Sequence, residues 1–288
     1  MLLSLRQRLL CPLFYKIQPS TRSLTQNVNV QSNTPNNVDL QEVDTLAKLA
    51  SDWWDPTGPL KGLHSMNALR VPLIRDGLIS TGLIPKEQVS TPNVLSGINI
   101  LEVGCGGGIL TEALARIRAN AVGIDPGEKL INVAKEHAQL LDQHIIDKIQ
   151  YYVQTVEDHS QNNEGKYDAV VVSEVLEHVN NKASFLEHCL LALKPGGSIF
   201  ITTLNKTTAS WLGGIVAAEY VLDLVPKNTH DWDKFISPLD LQRILKTFNC
   251  STVLVHGMGY KFWQNSWCWT ANTEINYALQ AVKIIEDS

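Results

Sequence analysis

No Gly-Lys-Ser or Gly-Lys-Thr occurs in these 288 residues, which excludes a P-loop. No two of the five cysteines form a Cys-x-x-Cys pair: Cys11 lies near the start, and Cys105, Cys189, Cys250 and Cys268 are widely separated. That usage excludes a zinc ribbon or a disulfide framework and suits a reducing compartment. Acid is missing before Asp39, while residues 1–38 hold four of the 24 basic side chains, so the remainder carries a net charge of −9. A nucleic-acid enzyme would carry a basic footprint instead. Long apolar runs are missing too. Leu2-Leu3 and Leu9-Leu10 are too short for a secretory core or a membrane span, and the apolar stretch over 210–226 is interrupted by Glu219 and Asp223 and ended by Pro226.

What is present begins with 44% hydrophobic residues, enough for the core of one α/β domain with extensions. The leader sets Arg6, Arg8, Lys16 and Arg22 among Leu, Ser, Thr and Gln, the composition of a mitochondrial transit peptide. A disordered tail without acids is the plain alternative. Residues 24–38 are polar and Asn-rich and read as a linker, so folding is expected to begin near Asp39. Leu40, Val43, Leu46, Ala47, Leu49 and Ala50 recur at helical spacing until Pro56, Gly58 and Pro59 break the pattern, and a second helix is expected over 67–77. From residue 98 strands (98–104, 120–125, 149–153, 167–173, 197–203) alternate with helices (109–118, 128–142, 181–193), followed by a helix over 238–247 and strands near 251–256 and 266–271. The expected fold is Rossmann-like α/β: a mostly parallel seven-stranded sheet over 98–288 with helices on both faces, preceded by a helical extension over 39–97.

Residues 98–126 carry the first chemical signal. Ile98-Asn99-Ile100-Leu101-Glu102-Val103 reads as a buried strand, Gly104-Cys105-Gly106-Gly107-Gly108 as a tight loop, and Asp125 closes the next strand 21 positions past Gly104. An acid there can accept from two ribose hydroxyls. A dinucleotide fold wants a further glycine three residues after Gly106, and that position is Ile109. Glu102, two residues before the first glycine, would repel a pyrophosphate but could meet an ammonium or sulfonium. This charge logic favours S-adenosylmethionine over NAD or ATP. A degenerate nicotinamide site and a purely structural turn are the alternatives.

Glu102-Val103-Gly104-Cys105-Gly106, Asp125, Tyr167-Asp168-Ala169-Val170-Val171-Val172-Ser173-Glu174 and Leu193-Lys194-Pro195-Gly196-Gly197 resemble the four successive motifs of class I S-adenosylmethionine-dependent methyltransferases. More specific stretches surround them. Trp53-Trp54-Asp55-Pro56, Leu63-His64-Ser65-Met66-Asn67-Ala68-Leu69-Arg70, Thr203-Leu204-Asn205, Ala218-Glu219-Tyr220 and Val225-Pro226-Lys227-Asn228-Thr229-His230-Asp231-Trp232 are similar to the ubiquinone-biosynthesis O-methyltransferases, a likeness running from about residue 40 to the C-terminus. The resemblance implies methyl transfer to polyprenyl-dihydroxybenzoate and demethylubiquinol. With the leader it implies peripheral attachment to the matrix side of the mitochondrial inner membrane, in a multi-subunit ubiquinone-synthesis complex. One departure is local: residues 262–269 are unusually aromatic.

In that family's pattern Arg70, Gly104, Asp125 and Ser173 contact the donor, and each has a physical reason to do so. Arg70 can grip the methionine carboxylate with a bidentate fork, although an ordinary surface ion pair is its plain reading. Gly104 and Gly106 let backbone approach without a Cβ, Asp125 accepts from ribose, and Ser173 lines a strand end. Glu174, Glu177 and His178 stand at i, i+3 and i+4 and would share one face of a helical turn. Two carboxylates and an imidazole suit Mg²⁺, with open positions for a catechol whose anion the ion would stabilise. Without metal, His178 beside Glu177 would serve as general base, or the turn is structural. Residues 206–236 read as an apolar lid or interfacial helix, with an ordinary buried helix as the alternative. Two other classes stay open for the whole chain: a donor-binding scaffold without catalysis and a nicotinamide oxidoreductase.

Overall fold

The computed structural model describes residue 37, residues 40–207, residue 210 and residues 234–285. The expected leader and nearly all of the expected lid lie outside these residues. Five strands, β1 (Asn99–Val103), β2 (Asn120–Asp125), β3 (Ile149–Val153), β4 (Tyr167–Ser173) and β5 (Leu193–Leu204), are parallel, while β6 (Cys250–Lys261), β7 (Ser266–Thr270) and β8 (Asn276–Lys283) complete the sheet through antiparallel pairs. The spatial order is β3-β2-β1-β4-β5-β8-β6-β7. Eight helices flank it among the described residues: α1 (Leu40–Ala47), α2 (Lys61–Ser80), α3 (Ile109–Arg116), α4 (Glu128–Ala138), α5 (Gln143–Ile146), α6 (Val156–Gln161), α7 (Lys182–Ala192) and α8 (Pro238–Thr247). None is long and apolar enough to cross a membrane.

The two-residue period of the strands divides the core. Val170, Val172, Ile199 and Ile201 pack with Phe185, Leu186, Cys189 and Leu190 of α7 on one face. Ala169, Val171 and Phe200 turn the other way, against Leu69, Leu73 and Ile74 of α2. Both faces are covered, so these strands are continuously apolar, and each buried Leu, Ile or Val contributes roughly 1.5–3 kcal/mol. Local signals set the ends. Ser237 caps α8 by accepting from the Asp240 amide at 3.1 Å, with Pro238 in the first turn, where its missing N–H costs nothing.

The sheet has eight strands where seven were expected. The unexpected one, β8, lies between β5 and β6, with Tyr277, Leu279 and Ala281 buried on one face and Ala278 and Gln280 on the other. Such a strand shows no polar alternation, and Ala is a poor strand former. The long N-terminal helical pattern breaks into α1 and a 3-10 turn over Ala50–Asp52, α2 outruns its expected 67–77 at both ends, and the helix expected over 128–142 stops at Ala138 before the short α5. The carboxyl ends of β1, β2 and β4 meet at one edge. Strand order reverses between β1 and β4, which opens a crevice there.

Candidate active site

At that edge lies a cleft open to solvent, lined by Gly104, Asp125, Gln154, Glu157, Glu174 and His178. Asp125 ends β2 and is buried; its Oδ2 accepts from the Gly106 amide at 3.0 Å and its Oδ1 from the Gly127 amide at 2.7 Å. Burial raises its pKa, and those two amides oppose the rise. Each oxygen keeps a lone pair for a hydroxyl donor. Gly104 has φ 73°, and a Cβ there would press on Val175. A ligand with a ribose therefore meets a smooth backbone on one side and a fixed acid on the other.

The neighbouring glycines have a second use that residue patterns did not reveal. A Cβ on Gly106 or Gly107 would collide with the buried ring of Trp53, and Trp54 Nε1 donates to the Gly107 carbonyl at 3.0 Å. Trp54 in turn stacks on His137, ring centroids 3.4 Å apart. The Trp53-Trp54 pair thus clamps the loop from outside the sheet. The signal available in the sequence was the pair's wide aromatic surface beside a run of glycines, but nothing local links residues 53 and 106.

Glu102 does not face the cleft. It is buried behind the loop, where Thr111 donates to it and Arg70 attracts it, and burial pushes its carboxyl up to about 7. The acid that follows the charge argument is elsewhere: Asp125, Glu157 and Glu174 line the cleft. Arg70, from α2, is buried and still charged, since a guanidinium keeps its proton even where desolvation lowers its pKa. Its Nη1 donates to Ser173 Oγ at 3.0 Å, its Nη2 to the Leu63 carbonyl at 2.9 Å, and both Nε and Nη2 to Asn67 Oδ1. This is a held side chain rather than a surface ion pair. Arg70, Gly104, Gly106, Asp125 and Ser173 are therefore brought to one strand edge, with Arg70 and Ser173 bonded to each other.

The acidic turn departs from expectation. Residues 176–178 form a 3-10 turn entered through Glu174 at φ 56°, not a regular helical turn. Thr202 Oγ1 donates to Glu174 at 2.7 Å and Thr203 Oγ1 to Glu177 at 2.7 Å. Successive β5 residues face opposite sides of the sheet, so the two carboxylates are tied to opposite faces. Glu174 and His178 line the cleft, whereas the buried Glu177 is held behind it. Burial and the nearby Glu177 push the Glu174 carboxyl upward. Among the described residues no three His, Cys, Asp or Glu side chains converge to hold a metal ion. The magnesium set expected at Glu174, Glu177 and His178 is not assembled in this arrangement.

A family model for a methyltransferase domain matches residues 85–255. The mitochondrial ubiquinone biosynthesis O-methyltransferase of Rattus norvegicus is 48% identical over 250 residues, which cover 87% of this chain and 71% of the rat protein. The chain belongs to the ubiquinone biosynthesis O-methyltransferases. A bacterial member of these O-methyltransferases, from Pelagibacter ubique, is 38% identical across 86% of this chain and 99% of its own. The magnesium protoporphyrin IX methyltransferase of Synechocystis, solved with bound SAH, shares the fold with a TM-score of 0.57 at 20% identity, covering 85% of this chain and all of its own. As a ubiquinone biosynthesis O-methyltransferase the chain is an S-adenosylmethionine-dependent enzyme, and the nicotinamide alternative is set aside.

Proposed function

We propose that the cleft holds S-adenosylmethionine beside a catechol-type ring and that a ring hydroxyl of polyprenyl-dihydroxybenzoate or demethylubiquinol receives the methyl group. Asp125 carries this reading, because a buried acid at a strand end, braced by two loop amides, is shaped to accept two ribose hydroxyls. Arg70 would meet the methionine carboxylate, and Gly104 and Gly106 would admit the donor's close approach. The donor supplies a methyl group on a positively charged sulfur. The chain's residues position the acceptor oxygen in line with it and exclude water. A phenol with pKa near 10 is mostly protonated at neutral pH, so a ring nitrogen of His178, which lines the cleft, would take that proton as transfer proceeds. Glu177 acts from behind the cleft as a support of the turn that carries His178. Magnesium at Glu174, Glu177 and His178 would require the Glu177 carboxylate, which lies behind the cleft beside Thr203, to turn toward the other two, and no step above depends on it.

The same reading places residues 1–38 as a mitochondrial leader and linker, 39–97 as a helical extension, 98–288 as the catalytic domain and 206–236 as its lid. It places the enzyme peripherally on the matrix side of the inner membrane within a ubiquinone-synthesis complex, where a polyprenyl tail would partition. The test is the purified chain with labelled methyl donor and a short-chain prenyl catechol, with and without EDTA and Mg²⁺. Label on the ring hydroxyl is expected. Transfer insensitive to chelation removes the metal, and donor binding without transfer under any condition supports the scaffold alternative.

A further inference from the structure

A line of four hydrogen-bonded groups crosses from α2 to the acidic turn. Arg70 Nη1 donates to Ser173 Oγ at 3.0 Å, Ser173 Oγ and Thr202 Oγ1 are 2.9 Å apart, and Thr202 Oγ1 donates to Glu174 at 2.7 Å. A guanidinium only donates, and each hydroxyl has one proton. With Thr202's proton on Glu174, Ser173 must donate to Thr202, so every bond points the same way, from the cation to the carboxylate. Arg70, Ser173 and Thr202 are all buried, and Ser173 and Thr202 are register partners in β4 and β5. Bonds aligned in a low-dielectric interior polarise one another, and a charged group at each end strengthens those it touches.

We propose that Thr202 is a positioning residue that couples Arg70 and Ser173, the buried pair at the strand edge to which the donor is assigned, to the aim of Glu174 into the cleft. This rests on the reading of the cleft given above. Glu174 leaves β4 at a positive φ, a conformation that a non-glycine residue holds only when its surroundings enforce it. The Thr202 hydroxyl is one such constraint; the other is the Thr202 carbonyl, which accepts from the Glu174 amide at 2.9 Å. One β5 residue thus grips Glu174 by backbone and by side chain. Only the side-chain grip also reaches Ser173.

Thr202→Val removes the hydroxyl at nearly constant shape, Thr202→Ser retains it, and Glu174→Gln removes the charge at the far end. Calorimetric affinity for S-adenosylhomocysteine and steady-state kinetics are measured for these variants and for the Thr202→Val/Glu174→Gln double variant. Expected are a fall of about tenfold in kcat and a rise of about threefold in the thioether Kd for Thr202→Val, both restored to within about twofold by Thr202→Ser. In the Glu174→Gln background the same valine change alters kcat by less than about twofold. Equal effects of Thr202→Val in both backgrounds, or no effect in either, overturn the proposal. If the valine variant does not fold, Thr202→Ala is read in the same cycle. Failure of the unaltered enzyme to bind the thioether would instead overturn the reading of the cleft.

Discussion

Glu102 shows how one residue's environment can redirect its role. The residue pattern put a carboxylate before the glycine loop, and charge logic sent it toward a sulfonium. In the folded chain it accepts from Thr111, out of the cleft, and burial raises its pKa from 4.5 to about 7. A carboxyl that is easier to protonate folded than unfolded favours folding below about pH 4.5, and this contribution is lost as pH climbs through 7. The difference is about 3 kcal/mol at 1.36 kcal/mol per unit. Glu102→Gln keeps an acceptor for Thr111 and cannot ionise. Chemical denaturation across pH 5–8 should therefore show a smaller loss of stability with rising pH in this variant than in the unaltered chain; parallel curves would mean that Glu102 is charged in the folded protein throughout.

At the scale of elements, the clearest sequence signals were those with local causes. The strands β1, β2 and β4, with Gly104, Asp125 and Ser173 at their ends, were legible because buried parallel strands are continuous apolar runs and because loops with positive φ demand glycine. The central strand β8 was not legible, since Ala278, Gln280 and Ala281 break the β-branched run that marks the other buried strands, and its pairing is set by the distant β5 and β6. The separation of Glu174 from Glu177 was not legible either, because it depends on Thr202 and Thr203, more than 20 positions away. The aromatic segment 262–269 is resolved as the β6–β7 hairpin. Met258 pairs with Asn276, which pairs with Leu204 at the end of β5, so the hairpin tip projects beyond the cleft edge of the sheet. Tyr260 and Ser65 both donate to Asn265, and Trp267 donates to the Gly62 carbonyl at 2.9 Å, which fixes the tip while Phe262 and Trp263 stay 63% and 70% exposed. Residues 251–273 contain one lysine, Lys261, and no acid, so the tip carries no charge that an anionic surface would repel. Replacing Phe262 and Trp263 with Ser should reduce co-flotation with phosphatidylcholine vesicles carrying an anionic lipid by about threefold or more while leaving S-adenosylhomocysteine affinity unchanged; unchanged co-flotation would remove the hairpin from any membrane role.

At the scale of the whole molecule, the cleft is assembled from segments far apart in the chain, and its N-terminal wall precedes the sheet by some sixty residues. Asn37 was read as the end of a linker, yet it is buried: its Nδ2 donates to Glu157 at 2.9 Å and its Oδ1 accepts from the Asn181 amide at 3.2 Å. Asn37 thereby joins the start of α6 to the start of α7. Val43 and Leu46 of α1 also line the cleft, and Leu46 packs against the cluster that holds Trp53 and Leu130. Donor binding should therefore depend on a boundary that composition alone puts too late. A chain beginning at residue 36 keeps every one of these contacts and should match the full chain in thermal stability and in calorimetric affinity for S-adenosylhomocysteine. A chain beginning at residue 48 loses two partly buried apolar walls and the buried Asn37 tie, so affinity should fall by about tenfold even where the sheet still folds. Equal affinities for the two truncated chains would show that α1 only covers the core, and that the cleft is complete without residues 36–47.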